Sequence, residues 1–542
     1  MGPRVLEWEG PGPLPPIPDT NFAAYMLEMM EEHGDSVAVV DAETHHQRTF
    51  SELCSLVPRV SAGLAAAGVT PGEVVAVITP NHVDYPLVLL SILHRGAVCF
   101  GINSLLTPKE VNHVLKISGA CWAVVHESMV AEAEAAFSLL PSSTIRKMWV
   151  LGDVSGKPSV ADLMSHDPLP PFTKVDGLNP ARDVAIIYSS SGTTGMPKPV
   201  KLSHRNQLTV MALNKCMDSL HQTGINRREM YEVTFMVLPM SHIYGQTNTI
   251  LTLLFGGTVV VLPKFSATQF LEALQNFRVT LIPLVPFLIK FLVETPLLHR
   301  YDLSSLKVIN CGAMPLSSAL AASLKQKLSV QLNDQYGMTE ASYAVAENIV
   351  RVGFKDNTVG KVLPYFQIKV VETESGEMLG EGQEGEVCFR GPSTMLGYAN
   401  NPVATAATLD ADGWIHSGDI GYFDHDNYLF IMDRLKNLIK VKGFQVSPTE
   451  LESVIMEHPD VANAAVVGVP HDSLGEMPLA FVVVKPGAHI QAIVLQQFVD
   501  SRVASFKKLA GGVKFVDAIP MNPTGKINRK LLKESVSLVA KL

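Results

Sequence analysis

Apolar runs alternate along the chain with stretches whose apolar positions recur every three or four residues. Glu73–Thr79 (EVVAVIT) predicts a buried strand, and a helical pattern follows from about Asp84 to Arg95. Thr107-Pro108-Lys109-Glu110 is a capping box with proline at the first helical position, predicting a helix to about Ile117. Trp122–His126 then returns as a strand, and the alternation recurs through Phe235–Leu238, Thr258–Leu262, Val279–Val285 and Lys307–Asn310. Such alternation predicts parallel sheets covered by helices. From about 350, short strands and turns take over (Phe366–Val371, Gly385–Phe389, Tyr428–Asp433), predicting a β-rich lobe. Near 434 βα character resumes. Ser447-Pro448-Thr449-Glu450 predicts a second capping box, opening a helix to about Glu457, and the remaining chain is long enough for a small domain of its own.

The 542 residues correspond to about three to four domains or lobes. With 47% apolar and 18% charged residues, most of the chain is expected to be globular, with large cores. A formal charge of −9, without a lysine or arginine run, argues against nucleic-acid binding and a polybasic membrane patch. Six scattered cysteines (54, 99, 121, 216, 311, 388) include no Cys-x-x-Cys pair, so neither a zinc site nor a disulfide framework is expected and a reducing compartment is. Mean hydropathy is +0.20. However, Tyr85–Ile102 contains His94 and Arg95, and Val279–Val293 contains Pro283, Pro286 and Lys290, so no membrane span is expected. The proline-rich first 20 residues lack the apolar core of a signal peptide, and Leu6 breaks a myristoylation pattern. Ala540-Lys541-Leu542 differs from the peroxisomal address Ser-Lys-Leu by one small residue.

The densest chemistry follows the strand Val184–Tyr188. There Ser189-Ser190-Ser191-Gly192-Thr193-Thr194-Gly195-Met196-Pro197-Lys198 combines hydroxyls, glycines and a lysine. Glycines let backbone N–H groups curl around an anion, while hydroxyls and lysine add donors to phosphate oxygens. The spacing is not that of a Walker A loop, and a Ser/Gly/Thr linker is the plainer alternative. With five further segments in order, this loop resembles that of the acyl-adenylate-forming superfamily: acyl-CoA synthetases, 4-coumarate–CoA ligases, beetle luciferases and adenylation domains. The others are Pro239-Met240-Ser241-His242-Ile243-Tyr244-Gly245, Gly312-Ala313-Met314-Pro315-Leu316, Tyr336-Gly337-Met338-Thr339-Glu340, Trp414–Asp419 with Asp433-Arg434-Leu435-Lys436, and Pro523-Thr524-Gly525-Lys526.

The resemblance implies an α/β fold. A large N-terminal domain (1–433) would hold two helix-covered sheets plus the β-rich lobe at about 350–433. A hinge at 434–436 would lead to a small mobile α+β C-terminal domain, 437–542. It also implies that a carboxylate attacks the α-phosphate of ATP while pyrophosphate leaves. ATP would be held by Ser190, Ser191, Gly192, Thr193, Thr194, Gly195, Lys198, Gly312, Ala313, Met314, Gln335, Tyr336, Gly337, Thr339, Asp419 and Arg434. Glu340 would hold Mg²⁺, Thr339 would donate to the α-phosphate, and Asp419 would accept the ribose hydroxyls. His242, Tyr244, Asn248, Met314, Gly337 and Ala341 would line the acyl pocket. Lys526 would stabilise charge during adenylation. Rotation about Lys436 would then exchange it for the segment of Lys440, Lys442, Gly443 and Gln445, facing CoA. Without the resemblance, Glu340 reads as a helix-terminal carboxylate, Asp419 as a turn residue and the lysines as solvated surface.

Three other patterns are set aside. Gly380-Glu381-Gly382-Gln383-Glu384-Gly385 precedes a strand instead of opening a helix, so it reads as a turn and not a dinucleotide loop. Asp472-Ser473-Leu474 lacks the context of a phosphopantetheine site, and His45-His46 would point oppositely on an extended segment. Departures from the family pattern are Pro199 for glycine, which could alter loop closure on pyrophosphate, Ser241 for a large residue, which would enlarge the acyl side, and Gln335 for glycine. The expected activity is a carboxylate–CoA ligase using Mg-ATP, acting on an aryl-propenoic or a medium- to long-chain fatty acid. A luciferase-type monooxygenase, a carrier-loading enzyme and a silent adenylate-binding protein are the alternatives. The tail, with this chemistry, points to a peroxisomal import receptor as partner and the peroxisome as location.

Overall fold

Val74–Thr79 lies inside a seven-stranded sheet in the computed structural model, which describes residues 2–190, 198–219, 225–314, 316–348, 355–441, 444–471, 474–521 and 526–539. Internal contacts divide the chain into two units. One comprises Leu6–Ile368 and Phe389–Ile415; the other comprises Met1–Val5, Lys369–Cys388 and His416–Leu542.

The first unit carries two large sheets. In the seven-stranded sheet Val74–Thr79 pairs in parallel with Val98–Asn103 and Ala120–His126, and Val98–Asn103 pairs in turn with Val184–Ser190. Lys198–Ser203 then runs antiparallel between Val184–Ser190 and the short strand Gly397–Tyr398. In the nine-stranded sheet Gln331–Met338, Val308–Cys311, Leu281–Leu284, Val233–Met236, Thr258–Val261 and Val37–Asp41 are parallel neighbours. Parallel strands are buried on both faces, which explains their β-branched runs. Val111, Val114 and Leu115 of helix Pro108–Ser118 pack on one sheet, and Phe270, Leu271, Leu288 and Ile289 on the other. Every residue of helix Tyr85–His94 is buried, and it leads to the buried strand Val98–Asn103, so the apolar stretch Tyr85–Ile102 lies in the core as a helix and a strand. Among the described residues no helix is long and apolar enough to cross a membrane.

The capping box at Thr107 forms in full: Glu110 N–H donates to Thr107 Oγ1 at 3.4 Å and Thr107 N–H to Glu110 Oε2 at 2.9 Å, and left-handed Gly119 closes the helix. The second box forms only by half. Ser447 Oγ accepts from Glu450 N–H at 3.2 Å, but the Glu450 carboxylate pairs with Lys507 at 2.7 Å instead of returning to the cap. A full charge on lysine is a stronger partner for a carboxylate than a backbone N–H. His45 also departs from expectation: it sits in a turn with φ 57° instead of on an extended segment, its ring stacked on Phe277. Gly380–Gly385 is a turn into the strand Gly385–Arg390, and Asp472-Ser473 lie outside the described residues.

In the second unit Gly475–Val484 pairs antiparallel with Val461–His471 and in parallel with Val513–Phe515. Strict alternation along the hairpin puts Ala464, Val466, Ala480 and Val482 against Leu451, Ile455, Leu495 and Val499. Ala465, Val467, Leu479 and Phe481 face the other way, toward Ile519 and Leu532. Ile415–Phe423 and Leu429–Arg434 pair antiparallel, with Asp419 opposite Arg434.

Candidate functional site

Two antiparallel strands, Val184–Ser190 and Lys198–Ser203, stand on either side of residues 191–197. Ser190 is the last residue before them and Lys198 the first after them; the two pair across the strands, and Ser190 Oγ donates to Lys198 O at 3.1 Å. Ser191, Gly192, Thr193, Thr194 and Gly195 lie outside the described residues. Lys198 Nζ sits over the Tyr398 ring, 5.2 Å from its centroid. Pro199 is the second residue of its strand, and its carbonyl accepts from Ala399 N–H at 2.8 Å.

Strands Gln331–Met338 and Tyr343–Asn348 form a second hairpin, joined by a buried turn, Thr339–Ala341. Glycine is required at 337: a Cβ there would lie 2.0 Å from Tyr343 O. Ser342 adopts φ 66° to close the turn, its hydroxyl donating to Ser393 O at 2.6 Å. Tyr398 Oη donates to Glu340 Oε1 at 2.7 Å, and Glu340 O accepts from Met395 N–H at 2.8 Å. Glu340 thus offers a held carboxylate beside the Thr339 hydroxyl, hard oxygen donors of the kind Mg²⁺ takes alongside phosphate oxygens and water. On Gln335, Nε2 donates to Glu347 Oε1 at 2.8 Å and Oε1 accepts from Tyr343 Oη at 3.0 Å. Arg227 completes this network with an ion pair to Glu347 Oε2 at 2.8 Å, both side chains at most 5% exposed. Burial pushes the neighbouring Asp334 carboxyl up to about 7.

The parallel strand Val308–Cys311 delivers Gly312-Ala313-Met314, with Ala313 exposed in a left-handed turn (φ 68°) and Met314 half-buried. His242 caps helix Ile243–Leu254, its Nδ1 accepting from Tyr244 N–H at 3.3 Å, which leaves the neutral ring's proton on Nε2. The loop before it is braced by Asn81, which accepts from Met240 N–H at 2.8 Å and donates to Leu238 O at 3.0 Å. Tyr244 Oη donates to Asn310 O at 3.0 Å, and its ring lies 3.4 Å from where a Gly312 Cβ would stand. Asn248 Nδ2 donates to Tyr244 O at 2.9 Å and Asn248 Oδ1 accepts from Tyr231 Oη at 3.4 Å. The fold therefore brings Tyr244, Asn248 and Gly312 together, with Gln335 in the adjoining strand, and His242 at the head of the same helix. Ala341 is fully buried in its turn.

The second unit holds the remaining positions. Arg434 Nε lies 2.7 Å from Asp419 Oδ1, with Asp419 almost fully buried. Glu386 braces this strand, accepting from Gly418 N–H at 2.9 Å and standing 2.8 Å from His416 Nδ1, with Cys388 Sγ 3.5 Å from the same nitrogen. Lys436 and Lys440 are exposed, and Lys440 N–H donates to Glu476 Oε2 at 2.9 Å. Lys442, Gly443 and the Gln445 side chain lie outside the described residues, as do Pro523, Thr524 and Gly525. Half-buried Lys526 precedes Arg529, whose Nη2 pairs with both Glu452 oxygens at 2.6 and 2.8 Å. Sequence reasoning missed Tyr398, Arg227, Glu347, Asp334 and Asn81. Each is an ordinary residue in an unremarkable local pattern; Tyr398, Arg227, Glu347 and Asn81 have partners distant in sequence, and Asp334 is set apart by its burial.

Two family models match the chain. One, described as AMP-binding enzyme, covers residues 27–399, and the other, AMP-binding enzyme C-terminal domain, covers 450–526. The chain belongs to the AMP-binding enzyme family. Among curated relatives of this family, a 4-coumarate–CoA ligase of Pinus taeda is 35% identical, over 95% of this chain and 94% of that protein. Peroxisomal OPC-8:0-CoA ligase 1 of Arabidopsis thaliana is 34% identical over 97% and 95%, and a luciferin 4-monooxygenase of Photinus pyralis 33% over 97% and 96%. The ATP-bound structure of MatB from Rhodopseudomonas palustris superposes with a TM-score of 0.85 at 27% identity, covering 95% of this chain and 98% of that one. The α/β fold, a large N-terminal part followed by a C-terminal domain, is thus that of the AMP-binding enzymes.

Proposed function

We propose that the chain is an AMP-forming carboxylate–CoA ligase, which activates an organic acid with Mg-ATP to acyl-AMP and pyrophosphate and passes the acyl group to CoA. The observation carrying this reading is the convergence, in one unit of an AMP-binding enzyme, of Lys198 and Glu340 on Tyr398. The acyl-side residues Tyr244 and Asn248 lie beside Gly312 in that same unit. Adenylation gathers negative charge, so cationic and hydrogen-bonding groups held in advance are what it needs. Mg²⁺, when bound, supplies charge neutralisation on the phosphates, and Glu340 with Thr339 would hold it. Lys198 and the hydroxyls of residues 190–194 bind phosphate oxygens; Asp419, oriented by Arg434, accepts from the ribose. His242 borders the acyl carboxylate, and Lys526 stabilises charge on the reacting oxygens. Lys440, Lys442, Gly443 and Gln445 serve the thiol step, with the hinge at Lys436.

The acid is an aryl-propenoic or a medium- to long-chain fatty acid, in line with the acids named for the pine and Arabidopsis relatives. Relatives named as luciferin monooxygenases support a second reading, oxidation of the bound adenylate. Pyrophosphate exchange with a panel of such acids tests both: at least one acid is expected to support Mg-ATP-dependent exchange, and adding CoA to give its thioester. ATP binding without exchange for any acid sinks the ligase reading, and exchange without thioester favours oxidation. A peroxisomal destination rests on Ala540-Lys541-Leu542, outside the described residues, and on the name of the Arabidopsis relative. Deleting residues 540–542 should then leave a fluorescent fusion of the full chain in the cytosol. Unchanged organelle import would end that reading.

A further inference from the structure

Tyr398 meets two oppositely charged groups through two different parts of one side chain. Its hydroxyl donates to Glu340 Oε1 at 2.7 Å, and its ring face receives Lys198 Nζ at 5.2 Å from the centroid. The polarity is right at both contacts: the O–H is the positive end of the phenol and the π face is the negative one. Tyr398 is 7% exposed and Glu340 5%, so the hydroxyl contact is largely shielded from water, while Lys198 is half-buried. The backbone is tied as well. Tyr398 pairs antiparallel with Val200 two residues beyond Lys198, and its N–H donates to Thr405 Oγ1 at 3.0 Å. Ala399 N–H donates to Pro199 O at 2.8 Å, and Met395 N–H to Glu340 O at 2.8 Å. The segment 395–399 is therefore stitched both to the strand that begins at Lys198 and to the hairpin that turns at Glu340.

A lysine and a glutamate held this close to one ring would, without it, be drawn into a direct ion pair, and an incoming cation–triphosphate would have to break that pair. Tyrosine prevents this while leaving each charge usable. The hydroxyl fixes one carboxylate oxygen and leaves Oε2 as the donor a cation takes. The ring holds the ammonium by an attraction weak enough to yield to phosphate. We propose that Tyr398 is a positioning residue that keeps Glu340 and Lys198 separate and preset, for the divalent cation and for phosphate oxygens respectively. The inference rests on the adenylation reading above.

Calorimetric titration of the full-length enzyme with ATP, in the absence of acid, gives a readout that needs no turnover. Tyr398→Phe removes the hydroxyl and keeps the ring. It is expected to weaken ATP binding about tenfold in the presence of Mg²⁺ while leaving binding in EDTA unchanged, the loss of one hydrogen bond to a charged group. The Mg²⁺ midpoint of pyrophosphate exchange should rise in step, with the KM for the acid unchanged. Tyr398→Leu, which also frees the lysine, should weaken binding in EDTA too. In a Glu340→Gln background Tyr398→Phe should have no further effect on the Mg²⁺ dependence. The inference is overturned if Tyr398→Phe binds Mg-ATP as the wild type does, or if binding with and without Mg²⁺ falls in equal proportion, as a merely structural role would give. Failure of the wild-type enzyme to exchange pyrophosphate with any acid would instead remove the adenylation reading itself.

Discussion

Lys526→Ala is expected to lower acyl-adenylate formation from free acid by roughly 10²–10³-fold, the usual loss when one preorganised charge-stabilising group is removed from a reacting centre. Thioester formation from supplied acyl-AMP should stay within about threefold of the wild type, because a group acting only in the first transition state leaves the second untouched. The segment should survive the substitution. Arg529, three residues on, is anchored by its pair to Glu452, and Leu532 of the following helix is buried in a core with Ala465, Val467 and Phe481. Single-turnover measurement of the two half-reactions separates the cases. Equal losses in both halves would count against assigning Lys526 to adenylation alone.

Arg227→Met is expected to be the most destabilising single change outside the proposed chemistry. It leaves Glu347, 1% exposed, without its counter-ion, and removing one partner of a buried pair costs about 3–5 kcal/mol. Burial alone would lower the Arg227 pKa, but Glu347, with Tyr231 and Tyr343 adding to it, holds the guanidinium above its usual range. The damage should spread along the hydrogen bonds to Gln335 and Tyr343, and so to the hairpin that carries Tyr336–Glu340. Adding Glu347→Met in the same chain should restore most of the lost stability, since a well-packed apolar pair is often as good as a buried ion pair. Denaturant unfolding of the single and double variants is the measurement. A double variant no more stable than Arg227→Met would refute the charge argument and leave packing as the cause.

The secondary structure was legible because its causes are local. The strand expected over Glu73–Thr79 spans Val74–Thr79, and Thr107 with Glu110 closes a capping box from residues three apart. Where a local rule meets a distant competitor it fails: the capping pattern returns the Glu450 carboxylate to Ser447, but Lys507, 57 residues away, takes it. The same holds around the candidate site. His242, Gly312, Gly337 and Glu340 stand out in sequence because they sit in dense motifs. Tyr398 does not, since Gly-Tyr-Ala-Asn names no chemistry until the fold sets its hydroxyl against Glu340, 58 residues earlier.

By itself, then, the sequence determined the α/β class, the capping box at Thr107 and, through motifs that are each local but ordered along the chain, the AMP-binding family. Tertiary structure alone decided that Arg227 pairs with Glu347 across 120 residues, that Glu386 braces Gly418, and that Lys198 and Glu340 share Tyr398. The reason is desolvation. A polar side chain chooses a distant partner only once burial has removed water as the alternative, and burial is a property of the assembled chain.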